Sequence, residues 1–304
     1  MTSSTPTYIP QQTLADGFFF GEAPRYHHGR LYFSDMIGRK IYTIDAVSGE
    51  KKVLLEVDQQ PNGMCFTDDG SLIYSSMFDA KLYRYKDGKS TLYSDMSGTM
   101  TGYCGDMVID NKGRVFLDDT GARVLHGQKP GPGRLLRIDP DGSVVSVQEG
   151  AVFPNLLCIS PDGKTLYNAE TFGYGLYKFD LADNGTLSNK QKVWAAAKPP
   201  GEGGGSLNGI DGGCMDGEGG VWLSLLGMEQ FARLDPATGN ITHRVKVDGH
   251  ATACTLGGED GKTLFMVTNS VPDGENIFTA MVARKTRCTV STARVDIAHG
   301  TARP

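Results

Sequence analysis

Oxygen-bearing side chains recur at matching places in this sequence: Glu22, Asn62, Asp106 beside Gly105, Asn155 and Asp211. Each opens the same phrase, a few small or apolar residues followed by a polar-Gly turn and an alternating strand. Two of the carboxylates, Glu22 and Asp211, and the two amides, Asn62 and Asn155, are hard oxygen donors, suited to one hard divalent cation if the fold brings them to a point. Glu22 and Asp211 would cancel a double charge, Asn155 would add a neutral oxygen, and water would complete the shell. His250 immediately precedes the sixth copy of the phrase and is the one histidine expected near the same point. His27 and His28 fall in a turn, His126 in a rim loop (residues 121–133), and His243 and His299 at the periphery.

The elements that must position these groups follow from the repeat. One copy reads Pro61-Asn62-Gly63-Met64-Cys65-Phe66, turns at Asp69-Gly70 and continues as Leu72-Ile73-Tyr74-Ser75. Another reads Pro154-Asn155-Leu156-Leu157-Cys158-Ile159, turns at Asp162-Gly163 and continues as Leu166-Tyr167-Asn168. Six copies lead from positions 22, 62, 105, 155, 211 and 251, spaced by 40 to 56 residues. Each supplies hairpin turn chemistry between apolar strands, and further strands ending in Asp follow, as in Leu176-Tyr177-Lys178-Phe179-Asp180. About four strands per ~40–50 residues is the period of a propeller blade. The chain is therefore predicted to be all-β, one six-bladed β-propeller spanning residues 1–304. The ring must close, through the tail (288–297) or through the early segment (8–20). In such a ring the inner strands line a central channel, so the lead residues converge at its mouth.

Composition agrees and excludes other classes. There are 40 glycines in 304 residues, well above the usual ~7 %, which favours many turns over long helices. Net charge is −5 with no basic run, so a nucleic-acid partner is not expected. No stretch reaches the ~18 apolar residues of a membrane span, and no secretory leader is visible, so a cytoplasmic location is expected. The six cysteines include no C-x-x-C pair. Cys65, Cys158, Cys214 and Cys254 share one place in the repeat and are expected to be buried, reduced packing residues. The runs Asp162-Gly163-Lys164-Thr165 and Asp260-Gly261-Lys262-Thr263 are hairpin turns rather than phosphate loops, lacking the upstream Gly. The glycine-rich run 201–206 is expected to be a flexible loop at the channel edge.

Several of these segments carry a family resemblance. Glu22-Ala23-Pro24 with Leu31-Tyr32-Phe33-Ser34-Asp35, the stretch from Pro154-Asn155 through Ser160-Pro161-Asp162-Gly163-Lys164-Thr165-Leu166-Tyr167, and Asp211-Gly212 followed by Val221-Trp222 resemble the gluconolactonase/regucalcin (SMP-30) family over about residues 17–270. The resemblance implies lactone hydrolysis by one divalent ion on the propeller axis, Ca²⁺ foremost, with Mg²⁺, Mn²⁺, Zn²⁺ or Fe²⁺ as alternatives. Carried over by position, Glu22, Asn155 and Asp211 match the metal ligands, and Asp211 also the group that activates water. Asp106 joins it as the second catalytic candidate, with Tyr103, Asp106, Asn62 and His250 expected to contact substrate. The family's third blade commonly reads Arg-x-Asn-Asp, whereas this chain has Tyr103-Cys104-Gly105-Asp106. An aromatic in place of the Arg favours a less polar or aromatic lactone over a sugar lactone. The alternatives are an altered, non-hydrolytic enzyme on the same scaffold and a non-catalytic propeller that binds proteins.

Overall fold

The structure, a computed structural model, describes residues 5–196 and 208–300. The run 201–206 lies outside the described residues. Six sheets stand around one axis as a six-bladed β-propeller. Their innermost strands are Gly21–His27, Pro61–Phe66, Cys104–Ile109, Pro154–Ile159, Ile210–Met215 and His250–Gly257. Each touches its two neighbours in cyclic order, the sixth returning to the first. Every lead position of the repeat falls within one of these strands.

Blades one to four are antiparallel meanders of consecutive strands. In blade two, the turn from Thr67 to Gly70 closes through the Gly70 N–H on the Thr67 carbonyl at 2.9 Å. Asp69 Oδ1 caps it by accepting the Ser71 N–H at 3.1 Å. Gly70 sits at φ +75°, a region that favours glycine and explains its recurrence after the polar turn residue. The same closure recurs at Gly113, Gly163, Gly219 and Gly261, which makes the two lysine-bearing runs turns of the repeat.

Both segments proposed for ring closure take part. Arg287–Arg294 is the third strand of blade six, and Gln12–Phe18 pairs with it antiparallel as the outermost strand. Blade five gains a short parallel edge from Thr7–Tyr8. Packing follows the blade boundaries. Cys65 packs with blade-three residues, Cys158 with blade five, and Cys214 with Cys254 between blades five and six. All six cysteines are buried and free, and burial pushes the Cys65 thiol up to about 12, so these are inert packing groups. The blade six–one boundary holds Phe18 against Phe33, ring centroids 4.8 Å apart, which ties the closing strand to the first blade.

One further apolar cluster lies outside the blade boundaries. Phe20, Met36, Met77, Tyr103 and Leu226 meet Ile277 and Met281 of α1 (Ile277–Val282). This six-residue helix interrupts blade six between its second and third strands. Asn276 caps it, its Oδ1 accepting the Phe278 N–H at 2.9 Å. Among the described residues no helix is long and apolar enough to cross a membrane.

Candidate active site on the propeller axis

All six inner strands break register at the lead residue or just after it, with one residue more than the strand they pair with. Asn62–Gly63, Gly105–Asp106, Asn155–Leu156 and Asp211–Gly212 are inserted between paired positions, and Thr252 is in blade six. The break in blade one lies between Glu22 and Arg25. A bulge re-aims side chains that strict alternation would send between blades. Here it turns the lead residues toward the axis, where Glu22, Asn62, Asn155 and Asp211 line one cavity.

That cavity has a polar end and an apolar mouth. The polar end comes from these inner strands together with Asp118 and Thr120. The mouth comes from Phe20, Met36, Met77, Tyr103, Val124, Leu125, Phe153 and Leu226, roofed by Ile277, Phe278 and Met281 of α1. Among the described residues, no Lys, Arg or His lines it. Its volume of about 90 Å³ is small beside the ~300–1,000 Å³ of sites for drug-sized ligands.

The acids at the polar end resist carrying charge together. Burial raises the Glu22 carboxyl well above its usual range, and the charges of Asp211, Asp106 and Asp118 add to it. Burial also pushes Asp211 up to about 7, against a hydrogen bond from Asn155 Nδ2 to Asp211 Oδ1 at 2.5 Å. That amide geometry leaves Asn155 Oδ1 as the atom able to ligate a cation. A hard cation would remove the repulsion, and two carboxylates with an amide are the donors it prefers. The residues therefore fit a divalent ion in which Asn155 is needed. Among the described residues, no three His, Cys, Asp or Glu side chains converge closely enough to hold a metal by themselves.

A pH dependence follows for protein stripped of cations. Between about pH 4 and 7 the folded state retains an Asp211 proton that the unfolded chain has lost, so the Asp211 contribution to stability is fully present below about pH 4 and is lost as pH rises through about 7. Melting temperatures in EDTA should drop between pH 5 and 7.5, and Asp211→Asn should flatten that slope. A slope equally steep in the variant would assign the effect to another group.

Two expected site residues occupy other places. Asp106 does not line the cavity. It is buried beneath, where its Oδ1 accepts Arg25 Nη2 at 2.6 Å and its own neighbour's Met107 N–H at 2.9 Å. Arg25 also donates to the carbonyls of Pro24, Met64 and Met107, so one guanidinium bridges blades one, two and three. His250 precedes the blade-six bulge, opposite Asn269, and does not line the cavity. Burial lowers its pKa. Tyr103 does line the cavity, but its hydroxyl is taken by His126 Nδ1 and its ring packs on Phe78 at 5.1 Å. It presents a wall rather than a donor.

Two residues escaped the sequence reading. Asn269 grips the backbone of Gly21 from both sides: Oδ1 accepts its N–H at 2.9 Å and Nδ2 donates to its carbonyl at 3.0 Å. It thus fixes the chain immediately before Glu22. Asp118 is 1 % exposed and accepts the N–H groups of Gly105 and Asp106, each at 2.8 Å. Two acids ending the buried strand Val115–Asp119 were the available signal, since ionisable residues are seldom fully buried without a role.

A propeller whose inner strands deliver carboxylates and amides to one axial cavity is a scaffold for a small-molecule site. The chain belongs to the SMP-30/Gluconolactonase/LRE-like family, whose model matches residues 20–270. It is similar to regucalcin of Gallus gallus, 26 % identical over 265 residues that cover 84 % of this chain and 85 % of the relative. It is likewise similar to pentonolactonase XacC of Haloferax volcanii, 26 % identical over 259 residues, with 84 % and 83 % covered. Among solved structures, the calcium-binding protein regucalcin from Agrobacterium tumefaciens superposes with a TM-score of 0.76 at 19 % identity, covering 97 % of this chain and 99 % of that one.

Proposed function

We propose that this protein is a divalent-cation-dependent lactonase acting on a small lactone that bears an apolar substituent. The observation that carries the reading is the convergence of Glu22, Asn155 and Asp211 on one cavity whose mouth is apolar. Lactonase names among the relatives support the reaction type, and the calcium-binding neighbour supports Ca²⁺ as the first ion to test.

Glu22, Asn155 and Asp211 would hold the ion. Bound there, it would polarise the lactone carbonyl and stabilise negative charge on its oxygen. Asp211 Oδ1 is held by Asn155, which leaves Oδ2 to accept a proton from the attacking water. The water oxygen bonds to the carbonyl carbon, the ring C–O bond breaks, and Asp211 returns the proton to the departing ring oxygen. The product is an open hydroxy acid. Asn62 stands across the cavity from this pair in the ring of inner strands and offers a neutral polar contact to the substrate.

The size and lining of the cavity select the substrate. A single ring fits the polar end, while its substituent lies against Leu125, Leu226 and Phe278. Among the described residues no cationic side chain lines the cavity to grip a polyol, and sugar hydroxyls against these apolar walls would lose water without gaining partners. Each buried methylene contributes about 0.8 kcal/mol, so a short alkyl chain should raise kcat/KM more than tenfold. A panel of alkyl- and aryl-substituted γ- and δ-lactones and aldonolactones, read by proton release with added Ca²⁺ or Mn²⁺, should favour the substituted lactones by that margin. Faster opening of the aldonolactones would overturn this choice of substrate. No turnover of any lactone would overturn the reaction itself.

A further inference from the structure

Blade three lacks the side chain that its neighbours send to the axis. Blades one, two, four and five present Glu22, Asn62, Asn155 and Asp211, whereas the matching residue in blade three is Gly105. The space is filled from the next strand. A Cβ on Gly105 would lie 2.5 Å from Asp118 Oδ1 and 3.0 Å from Oδ2. The register explains how: Cys104 pairs with Asp119 and Met107 with Leu117, so Asp118 faces the two bulged residues. Its oxygens accept the Gly105 and Asp106 N–H groups that the bulge takes out of the ladder. Each oxygen keeps a second lone pair, and the residue lines the cavity.

We propose that Asp118 is the third acidic residue of the axial site, replacing from the second strand the side chain that Gly105 lacks. This rests on the cation-centred reading of the site. Glu22, Asp211 and Asp118 form no three-carboxylate metal cluster among the described residues, so Asp118 is not assigned as a direct ligand. It acts instead by its charge across intervening water. Beneath the site, the Arg25 cation is already committed to Asp106 and three carbonyls. Among the described residues, no cationic side chain lines the cavity to neutralise Asp118. A divalent ion at Glu22, Asn155 and Asp211 is the charge that would.

Mn²⁺ binding tests the assignment directly, with the free ion counted by its paramagnetic resonance signal and the metal-free melting temperature recorded alongside. Asp118→Asn should weaken Mn²⁺ binding about tenfold, equivalent to about 1.4 kcal/mol. Because an Asn amide would set a donor against one of the two backbone N–H groups, a second variant separates charge from local damage. Gly105→Asp alone should melt lower, its Cβ colliding with Asp118. Gly105→Asp combined with Asp118→Gly returns the carboxylate to the inner strand, and should bind Mn²⁺ within about threefold of the parent or more tightly. Affinity within twofold of the parent in Asp118→Asn would overturn the proposal, as would a double variant that folds but binds as weakly as Asp118→Asn. A parent protein that takes up neither Mn²⁺ nor Ca²⁺ overturns the cation-centred reading, and the role of Asp118 with it.

Discussion

Asp211→Asn should reduce lactone turnover by about 10³-fold while leaving the fold intact. The substitution keeps the shape of the side chain and one oxygen beside Asn155, but it removes the proton acceptor, and general-base catalysis typically contributes ~10²–10⁴-fold. It also removes one of the two formal charges proposed to hold the ion, so bound metal should fall in the same samples. Raising the cation concentration should recover occupancy but not rate, because the missing base remains missing. Full recovery of turnover at saturating metal would assign Asp211 to ion binding alone and leave the activation of water to another group.

Asp106→Ala should act on stability before anything else. The Arg25–Asp106 pair is buried, and removing one partner of such a pair costs about 3–5 kcal/mol because the other charge is left uncompensated. For a chain of this length that corresponds to a melting temperature lower by about 5–8 °C. Cation affinity should fall as well, through the uncompensated Arg25 charge beneath the site rather than through a lost ligand, since Asp106 lies outside the cavity lining. Unchanged melting with turnover abolished would instead return Asp106 to the substrate, the place its neighbourhood in the sequence suggests.

These two aspartates show where sequence stops informing on a site of this kind. The period of the repeat makes both the propeller and the lead residues legible, because an Asn or Asp at one phase of a repeated phrase must occupy one radius of a ring. Asp106 stands one residue beyond that phase, and its side chain is decided by Arg25, eighty-one residues earlier in the chain. Asp118 is decided by a register shift across a hairpin, and register is fixed by which residues the bulge skips. Asn269 supports Glu22 from the opposite end of the chain. The apolar roof was hidden for another reason. A helix of six residues, Ile277–Val282, leaves no periodic trace, yet it supplies three of the side chains that set the character of the cavity.

The closing strand has a consequence for the order of assembly. Gln12–Phe18 is made before blades one to five, but the strand it pairs with, Arg287–Arg294, is made after them. Throughout translation the early strand has no edge to join, and blades one to five must form, if they form, as an open arc. That arc exposes unpaired backbone at the incomplete end and the apolar face of blade one around Leu31 and Phe33, which blade six later covers. Circular permutants that move the termini to a loop between blades would let the strand be made together with its partner. Such chains should reach the native ring with less aggregation during refolding, at unchanged final stability.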